Sequence, residues 1–264
     1  MLVTVVIPTY HPKEYLWKTL ESLQTQTLPS EDFEVIVVLN GDVEPYDVQI
    51  RDYIAAAHYR FHIQLLTTPT PGVSNARNLA IDAAQGIYLT FLDDDDWVSP
   101  SFLSDLLAQA DESTIVEANV QNYNEADRSY ADDYLTRAYR RCEPLQRITL
   151  FNGRSLLSSS CCKLIPRAVV SEDRYCTSVT HGEDALFMAT ISPRISRICL
   201  SAPEAVYFRR VHGASAQYRR RPLAKRLSNT SRLTLHYLVL LLQPWRYNFP
   251  FILTRIAATL KRCM

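Results

Sequence analysis

The chain has 264 residues, of which 47% are hydrophobic and 21% are charged, a composition typical of a soluble globular protein. This length suits one large α/β domain with an appendage, or two small domains. The 28 basic and 28 acidic residues cancel, so no overall charge draws the chain toward nucleic acid, which is not expected as a partner.

Apolar runs that predict strands alternate with helical patterns along the first part of the chain. The predicted strands are Val3–Ile7, Phe33–Leu39, Phe61–Leu66 and Gly86–Leu92. The predicted helices follow Tyr15 and cover 47–58 and Val73–Ala84. This alternation favours an α/β fold with a mostly parallel sheet covered by helices. Residues 120–150 show weak periodicity and are interpreted as mixed helix and loop.

Polar side chains follow three of these strands, where a parallel sheet binds its ligands. Thr9 and Tyr10 follow the first strand, Asn40 follows the second, and the run Asp93–Asp96 follows the fourth. Four adjacent carboxylates repel one another, so stability alone does not favour the run. It is interpreted as a Mg²⁺ or Mn²⁺ site that leaves room for diphosphate oxygens. The alternative is an acidic helix start before Ser99.

Three segments in order strengthen the metal interpretation: VTVVIPTYHP, PGVSNARNLAIDAAQGIYLTFLDDDDW and HGEDALF. Together they resemble family 2 glycosyltransferases of the GT-A fold, over residues 1–215. The resemblance implies a Rossmann-like catalytic domain with a nucleotide-sugar-binding half (1–98) and an acceptor-side half (99–215). It also implies metal-dependent, inverting transfer of a sugar from a nucleotide-diphosphate donor, with UDP-sugars favoured, to a hydroxyl acceptor.

The acidic run matches the DxD motif of the family. By this resemblance, Asp95 is a ligand of Mn²⁺ or Mg²⁺. Asp93 is expected to hydrogen-bond the donor ribose or a water on the metal, and Asp94 occupies the variable position of the motif.

The nucleoside is expected near the end of the first strand. Pro8, Thr9 and Tyr10 match the segment that cradles it, with Tyr10 stacking on the base. A half-buried loop tyrosine is the alternative for Tyr10. Arg77 matches the arginine of the ARN motif and is expected to contact base or phosphate. Gly72 permits close backbone approach, although a plain helix-entry turn explains it as well.

One segment departs from the family pattern. Many relatives carry VDDGS after the second strand, whereas this chain has Val38-Leu39-Asn40-Gly41-Asp42. Asn40 takes the place of an aspartate that reads the base, and it both donates and accepts hydrogen bonds. Uracil is therefore compatible, and a role as a turn residue is the alternative.

The HGEDALF segment matches the ED motif of the family. The resemblance makes Asp184 the general base that takes the proton of the acceptor hydroxyl. Glu183 is expected to orient the acceptor or the base. The alternative is an acidic first turn of a helix.

The segment from Tyr207 to Ser215 resembles the part of the family that closes the site. His212 is there the expected further metal ligand, against the alternative of an ordinary loop histidine. Arg209 or Arg210 is expected to pair with phosphate. By position in the family, residues 155–163 are expected to face the acceptor, and Lys163 matches a lysine common there. A polar loop that leads into 164–166 is the alternative.

The rest of the chain, 216–264, lies outside the resemblance and is basic. No acidic residue follows Glu204, and twelve of the 28 lysines and arginines do. A helix from Leu223 to Leu242 is predicted, and basic residues among Leu, Trp and Phe fit an amphipathic tail on an anionic membrane surface. Packing on the catalytic domain or in a homodimer is the alternative. Without about eighteen consecutive apolar residues, a spanning helix is not expected.

The six cysteines favour a cytoplasmic protein, at the inner face of the plasma membrane if the tail binds lipid. None of them has CxxC spacing, which argues against zinc, and a chain of this length needs no disulfide staples. If the tail binds membrane, the acceptor is expected to be a lipid-linked glycan. Two other functions remain open: a non-catalytic scaffold of the same fold, and a metal-dependent nucleotidyltransferase.

Overall fold

The computed structural model describes residues 1–211 and 222–261. The strands in these ranges are β1 (Val3–Thr9), β2 (Phe33–Asn40), β3 (His62–Thr68), β4 (Tyr88–Phe91), β5 (Trp97–Val98), β6 (Thr114–Glu117), β7 (Asn119–Asn124), β8 (Ser129–Asp132), β9 (Lys163–Pro166), β10 (Arg197–Leu200) and β11 (Val206–Val211). The helices are α1 (Glu14–Gln24), α2 (Tyr46–Ala57), α3 (Val73–Ala83), α4 (Phe102–Leu107), α5 (Tyr134–Cys142), α6 (Arg167–Val170), α7 (Glu183–Ile191), α8 (Leu223–Leu241) and α9 (Phe249–Lys261).

A mostly parallel sheet forms the centre of the described part of the chain, in the order β10-β6-β9-β4-β1-β2-β3. β9 alone among these runs antiparallel to both of its neighbours. Every residue of β1 and β2 is buried, as continuous β-branched runs require when helices cover both faces of a sheet. The α/β expectation is confirmed, and the four predicted strands correspond to β1–β4.

A smaller sheet, in the order β5-β11-β7-β8, stands beside the central one. It corrects the interpretation of 120–150 as helix and loop, because β7 and β8 lie there as well as α5. The sequence of β7, NVQNYN, has little β-propensity and no clear alternation. Its backbone becomes a strand by pairing in parallel with β11, which is distant in sequence.

The C-terminal helices pack on the α/β body and on each other. On α8, Leu233, Tyr237 and Leu240 are buried, and on α9 so are Phe251 and Ile252. The predicted helical extension is therefore present. Within 1–211 and 222–261 no helix has both the length and the apolar character needed to cross a bilayer.

Thiols of the described residues are mostly buried, as expected. Cys142, Cys161, Cys162 and Cys199 are buried and Cys176 is half-buried, and all five are unbridged.

Candidate active site

A cleft of about 810 Å³ opens where β1, β2 and β4 end. Residues of both proposed halves line it, and most of them were predicted from the sequence. The predicted residues along its walls are Pro8, Thr9, Tyr10, Asn40, Gly72, Arg77, Asp93, Asp94, Asp95, Glu183, Asp184 and Arg209. His212 lies outside the described residues. Tyr134, Ser158, Ser159 and Arg210 also line the cleft.

The four aspartates after β4 have four different environments. Asp93 forms an ion pair with Arg77 at 3.1 Å, and Asp94 accepts a hydrogen bond of 2.5 Å from the Thr9 hydroxyl. Asp96 is buried and accepts the backbone N–H of Arg210 at 2.7 Å. Asp95 lies between them at the cleft wall. The run is therefore not a simple helix cap, since two of its carboxylates hold the loop and the others face the cleft.

Burial and mutual repulsion make this loop electrostatically costly. Burial raises the pKa of Asp94 to about 7, with a further increase from the charges of Asp95 and Asp93. Burial also raises the pKa of Asp96 well above its usual value, again with contributions from Asp95 and Asp93. The loop therefore concentrates negative charge at the cleft wall.

The two arginines near the end of β11, Arg209 and Arg210, contact different parts of the site. Arg210 is buried, and its guanidinium lies 4.6 Å from the Tyr15 ring and 4.8 Å from the Trp97 ring. Its Nε donates to the backbone oxygen of Asp95 at 2.9 Å. Arg210 thus supports the backbone of the acidic loop at the cleft wall. Arg209 lines the cleft and pairs with Asp133 at 2.9 Å.

At the end of β1 and β2 the backbone is held by Asn40. Its Nδ2 donates to the Thr9 oxygen at 2.7 Å, and its Oδ1 accepts the Gly72 N–H at 2.8 Å. The amide therefore ties β1 to the start of α3 within the wall of the cleft. Gly72 has a φ of 125°, a conformation that favours glycine, so its role here is conformational.

Tyr10 presents its ring at the rim of this region. The side chain is 53% exposed and stacks on His11 with ring centroids 4.0 Å apart. A Cβ on Gly41 would lie 2.6 Å from the Tyr10 ring, so the glycine keeps room for the aromatic side chain. An exposed ring at a cleft edge has a face available for stacking.

Arg77 lies inside the cleft wall and not on the helix surface. Its guanidinium is 3% exposed, and it pairs with Asp184 at 2.5 Å as well as with Asp93. The ring of Tyr175 lies 5.3 Å below it. The arginine expected to touch base or phosphate therefore joins the DxD loop to the ED motif. The sequence alone did not predict these two ion pairs, because Asp93 and Asp184 lie 16 and 107 residues away from Arg77 along the chain.

The ED motif begins α7, directly after Gly182 with its φ of 85°. Asp184 receives Arg77 on Oδ1, and the Ser159 hydroxyl lies 3.5 Å from Oδ2. Burial, followed by the charge of Asp184, raises the pKa of Glu183 to about 7. The two acids thus differ in environment: Asp184 has a cationic partner, whereas Glu183 faces a like charge.

Helix α8 holds the loop that precedes this motif, which sequence reasoning missed. Asn229 accepts the Thr180 N–H at 2.8 Å and donates to the His181 oxygen at 2.9 Å. Leu233 packs against Gly182, because a Cβ there would lie 2.9 Å from its Cδ2. An asparagine on a predicted amphipathic helix carries no local signal of such a contact.

Lys163 is not on the acceptor-facing surface expected for residues 155–163. It is fully buried, pairs with Glu117 at 3.0 Å and donates to the Cys161 oxygen at 2.9 Å. The lysine lies behind the segment and fixes its backbone, while Ser158 and Ser159 face the cleft.

The cleft fits a divalent cation bound in part by its substrate. No group of three or more potential ligands is assembled in residues 1–211 and 222–261. Mg²⁺ and Mn²⁺ commonly bind one or two protein carboxylates and complete their coordination with phosphate oxygens and water. Asp95, on the wall of the cleft, is compatible with a site of this kind.

Residues 4–173 match the family model described as glycosyl transferase family 2. The chain belongs to this family. Over 212 residues it is 25% identical to the poly(ribitol-phosphate) beta-N-acetylglucosaminyltransferase TarS of Staphylococcus aureus, a match that covers 79% of this chain and 35% of TarS. The family 2 chain thus spans about a third of the length of that relative.

Two crystal structures share the fold of this family 2 chain. S. aureus TarS 1-349 in complex with UDP-GlcNAc gives a TM-score of 0.76 at 20% identity, over 99% of this chain and 72% of that one. The mannosyltransferase PcManGT from Pyrobaculum calidifontis, in complex with GDP-Man and Mn2+, gives 0.60 at 18% identity, over 98% and 74%. Together these similarities support the GT-A fold expected from the sequence.

Proposed function

We propose that this chain is a metal-dependent, inverting glycosyltransferase that moves a sugar from a nucleotide-diphosphate donor to a hydroxyl of a glycan or lipid-linked acceptor. The observation that carries the proposal is the double contact of Arg77 with Asp93 and Asp184 in one cleft. Through these two ion pairs, one arginine binds both an acid of the DxD motif and the candidate base.

Asp184 is the general base of the proposal. Arg77 holds Oδ1 and so fixes the orientation of the carboxylate, whose Oδ2 lies 3.5 Å from the Ser159 hydroxyl. Oδ2 is therefore suited to accept the proton of the attacking hydroxyl while that oxygen bonds to the anomeric carbon. A single displacement of this kind inverts the anomeric centre, and no protein nucleophile takes part.

The diphosphate that leaves gains negative charge, so it needs compensation at the other side of the cleft. Asp95 would hold Mn²⁺ or Mg²⁺, which supplies a Lewis acid to the diphosphate when bound. Arg209 lines the same cleft and is the candidate cationic side chain for phosphate. His212 is the expected further metal ligand, and Glu183 is the neighbour that orients acceptor or base.

A UDP-sugar is the favoured donor. TarS, similar in fold, has been crystallised with UDP-GlcNAc and with UDP, although PcManGT was crystallised with GDP-Man. Pro8, Thr9 and Tyr10 would surround the nucleoside at the end of β1.

The name of TarS, a poly(ribitol-phosphate) glycosyltransferase, supports a polymer of the bacterial surface as the acceptor class. The proposal includes a peripheral position at the inner face of the plasma membrane.

Calorimetric titration with UDP, GDP and dTDP, each with Mn²⁺ and with EDTA, tests the donor site. We expect one nucleotide, UDP, to bind with Mn²⁺ and not with EDTA, and Asp95→Ala to abolish this binding. Asp52→Ala, an exposed aspartate on α2, is the matched control and should bind as the native chain does. A folded chain that binds none of the three nucleotides would overturn the proposed donor site.

The base is tested separately with Asp184→Asn. Nucleotide binding should persist, while transfer falls by about 10²–10⁴-fold, because a positioned base contributes about that factor. Full transfer activity in this variant would contradict the assignment of the base.

A further inference from the structure

Helix α8 has two sides of different character. The inner side, with Leu233, Tyr237 and Leu240, is buried against the body of the protein. The outer side carries four leucines that lie outside this packing. Leu227, Leu235, Leu238 and Leu242 are exposed by 48%, 64%, 43% and 75%.

The four leucines form one stripe, because their spacings of eight, three and four residues keep them on one side of an α-helix. Trp245 comes shortly after the helix in sequence and is 81% exposed. On α9, Phe249 and Leu253 are also exposed, by 48% and 42%. Single exposed apolar residues are ordinary on soluble proteins, but a row of this length marks an interaction surface.

The charge around the stripe selects the kind of partner. Exposed basic side chains accompany it, namely Lys225, Arg232, Arg246 and Lys261. No acidic residue follows Glu204, so nothing within the tail neutralises these charges. A second copy would apply the same basic face to itself across a two-fold axis, with repulsion between like charges. An anionic lipid surface offers both an apolar layer for the leucines and opposite charge for the basic groups.

We infer that the outer side of α8, together with Trp245, docks this chain on the surface of an anionic lipid bilayer. The helix lies in the plane of the interface with its leucine stripe toward the acyl chains, and tryptophan is well suited to that depth. The inference deepens the peripheral position included in the proposed function and depends on it only for the biological setting.

Co-sedimentation with vesicles tests the surface. Vesicles of an equimolar mixture of phosphatidylglycerol and phosphatidylcholine should bind the full chain, and vesicles of phosphatidylcholine alone should bind it at least about tenfold more weakly. Raising the ionic strength from about 0.1 M to about 1 M should weaken binding to the anionic vesicles. No binding to the anionic vesicles would overturn the inference.

The double variant Leu235→Glu/Leu238→Glu should reduce partitioning to the anionic vesicles by at least about tenfold, because both side chains lose apolar contact and add negative charge. Both positions are exposed, so the fold should persist, as circular dichroism can verify. Val48→Glu, on α2 at 54% exposure, is the matched control and should bind as the native chain does. Equal binding of the double variant and the control would overturn the inference.

Light scattering of the same samples tests whether a second copy of the chain, and not lipid, covers the leucine stripe. A dimer that the double variant disrupts, together with absent vesicle binding, would assign the stripe to self-association and overturn the lipid surface. Vesicle binding by a chain that transfers no sugar would instead refute the proposed reaction and leave the docking surface standing.

Discussion

The run Asp93–Asp96 follows β4 directly at the end of the parallel sheet, whereas Glu183 and Asp184 begin a helix that no strand immediately precedes. The first group is held at several points: the backbone N–H of Arg210 reaches Asp96, the Arg210 side chain reaches the oxygen of Asp95, and the Thr9 hydroxyl reaches Asp94. The second is held by side chains from distant parts of the chain, such as Arg77 and Asn229. The acidic run therefore has several supports of different kinds, whereas the Asp184 carboxylate depends mainly on its ion pair with Arg77.

Arg77→Met removes the residue that joins the two acidic groups and should have the largest effect. It leaves Asp93 and Asp184 without their shared cation, so we expect transfer to fall by about 10²-fold or more and stability by about 3 kcal/mol. Enzyme kinetics and urea unfolding measure the two effects. The control is Arg174→Met, whose pair with Asp82 is at the surface and is worth less than about 1 kcal/mol. Equal losses in both variants would contradict the bridging role of Arg77.

Lys163→Met tests the buried support behind the segment that faces Asp184. It leaves the Glu117 carboxylate without its partner in a fully buried site, so unfolding should become easier by about 3 kcal/mol. The double variant Glu117→Gln/Lys163→Met should recover part of this loss, because no unpaired charge remains. Denaturant unfolding checks both. A double variant no more stable than the single one would show that the ion pair is not the cause.

The pH dependence of stability distinguishes the two acids of the ED motif. The pKa of Glu183 rises from 4.5 to about 7 because of burial and the charge of Asp184. Because this pKa is higher in the folded chain than in the unfolded one, the folded chain binds the proton of Glu183 more tightly. The resulting stabilisation is complete below pH 4.5 and is lost as the pH rises through about 7. We expect the free energy of unfolding to fall across this window by about 1–2 kcal/mol more in the native chain than in Glu183→Gln.

Denaturant unfolding at several pH values makes this measurement. Glu143→Gln, at an exposed position, is the control and should keep the native pH profile. A Glu183→Gln profile parallel to that of the native chain would refute the raised pKa.

Asn229→Ala should give the smallest effect, through the loop that leads to Asp184. The loop loses its hydrogen bonds to Asn229 but keeps the one from Arg232 to the Ser178 oxygen and the packing of Leu233 on Gly182. We expect kcat to fall by about fivefold, near 1 kcal/mol for a lost hydrogen bond, with the KM for donor unchanged. Ser228→Ala, exposed on the same helix, serves as the control. A raised KM for donor with native kcat would contradict this prediction, because it would show that the variant impairs donor binding and leaves the candidate base unaffected.

Sequence patterns predicted the strands of the parallel sheet because buried strands need continuous apolar runs, and β1 and β2 have them. They failed at β7, whose amide-rich sequence becomes a strand by pairing with β11 on one side and β8 on the other. Lys163 was expected on an acceptor-facing segment because of its position in the family pattern. It is buried instead because Glu117 lies opposite, on the neighbouring strand β6.

The sequence by itself determined the family, the sheet and the identity of most residues along the cleft, because motifs at strand ends are local and a parallel sheet brings its strand ends together. Only the tertiary structure decided which side chains meet. Arg77 bridges two acids, Arg210 supports the acidic loop while Arg209 pairs with Asp133, and α8 faces the loop before Asp184 on one side and solvent on the other. These contacts join residues far apart in sequence, and neither periodicity nor spacing encodes such pairings.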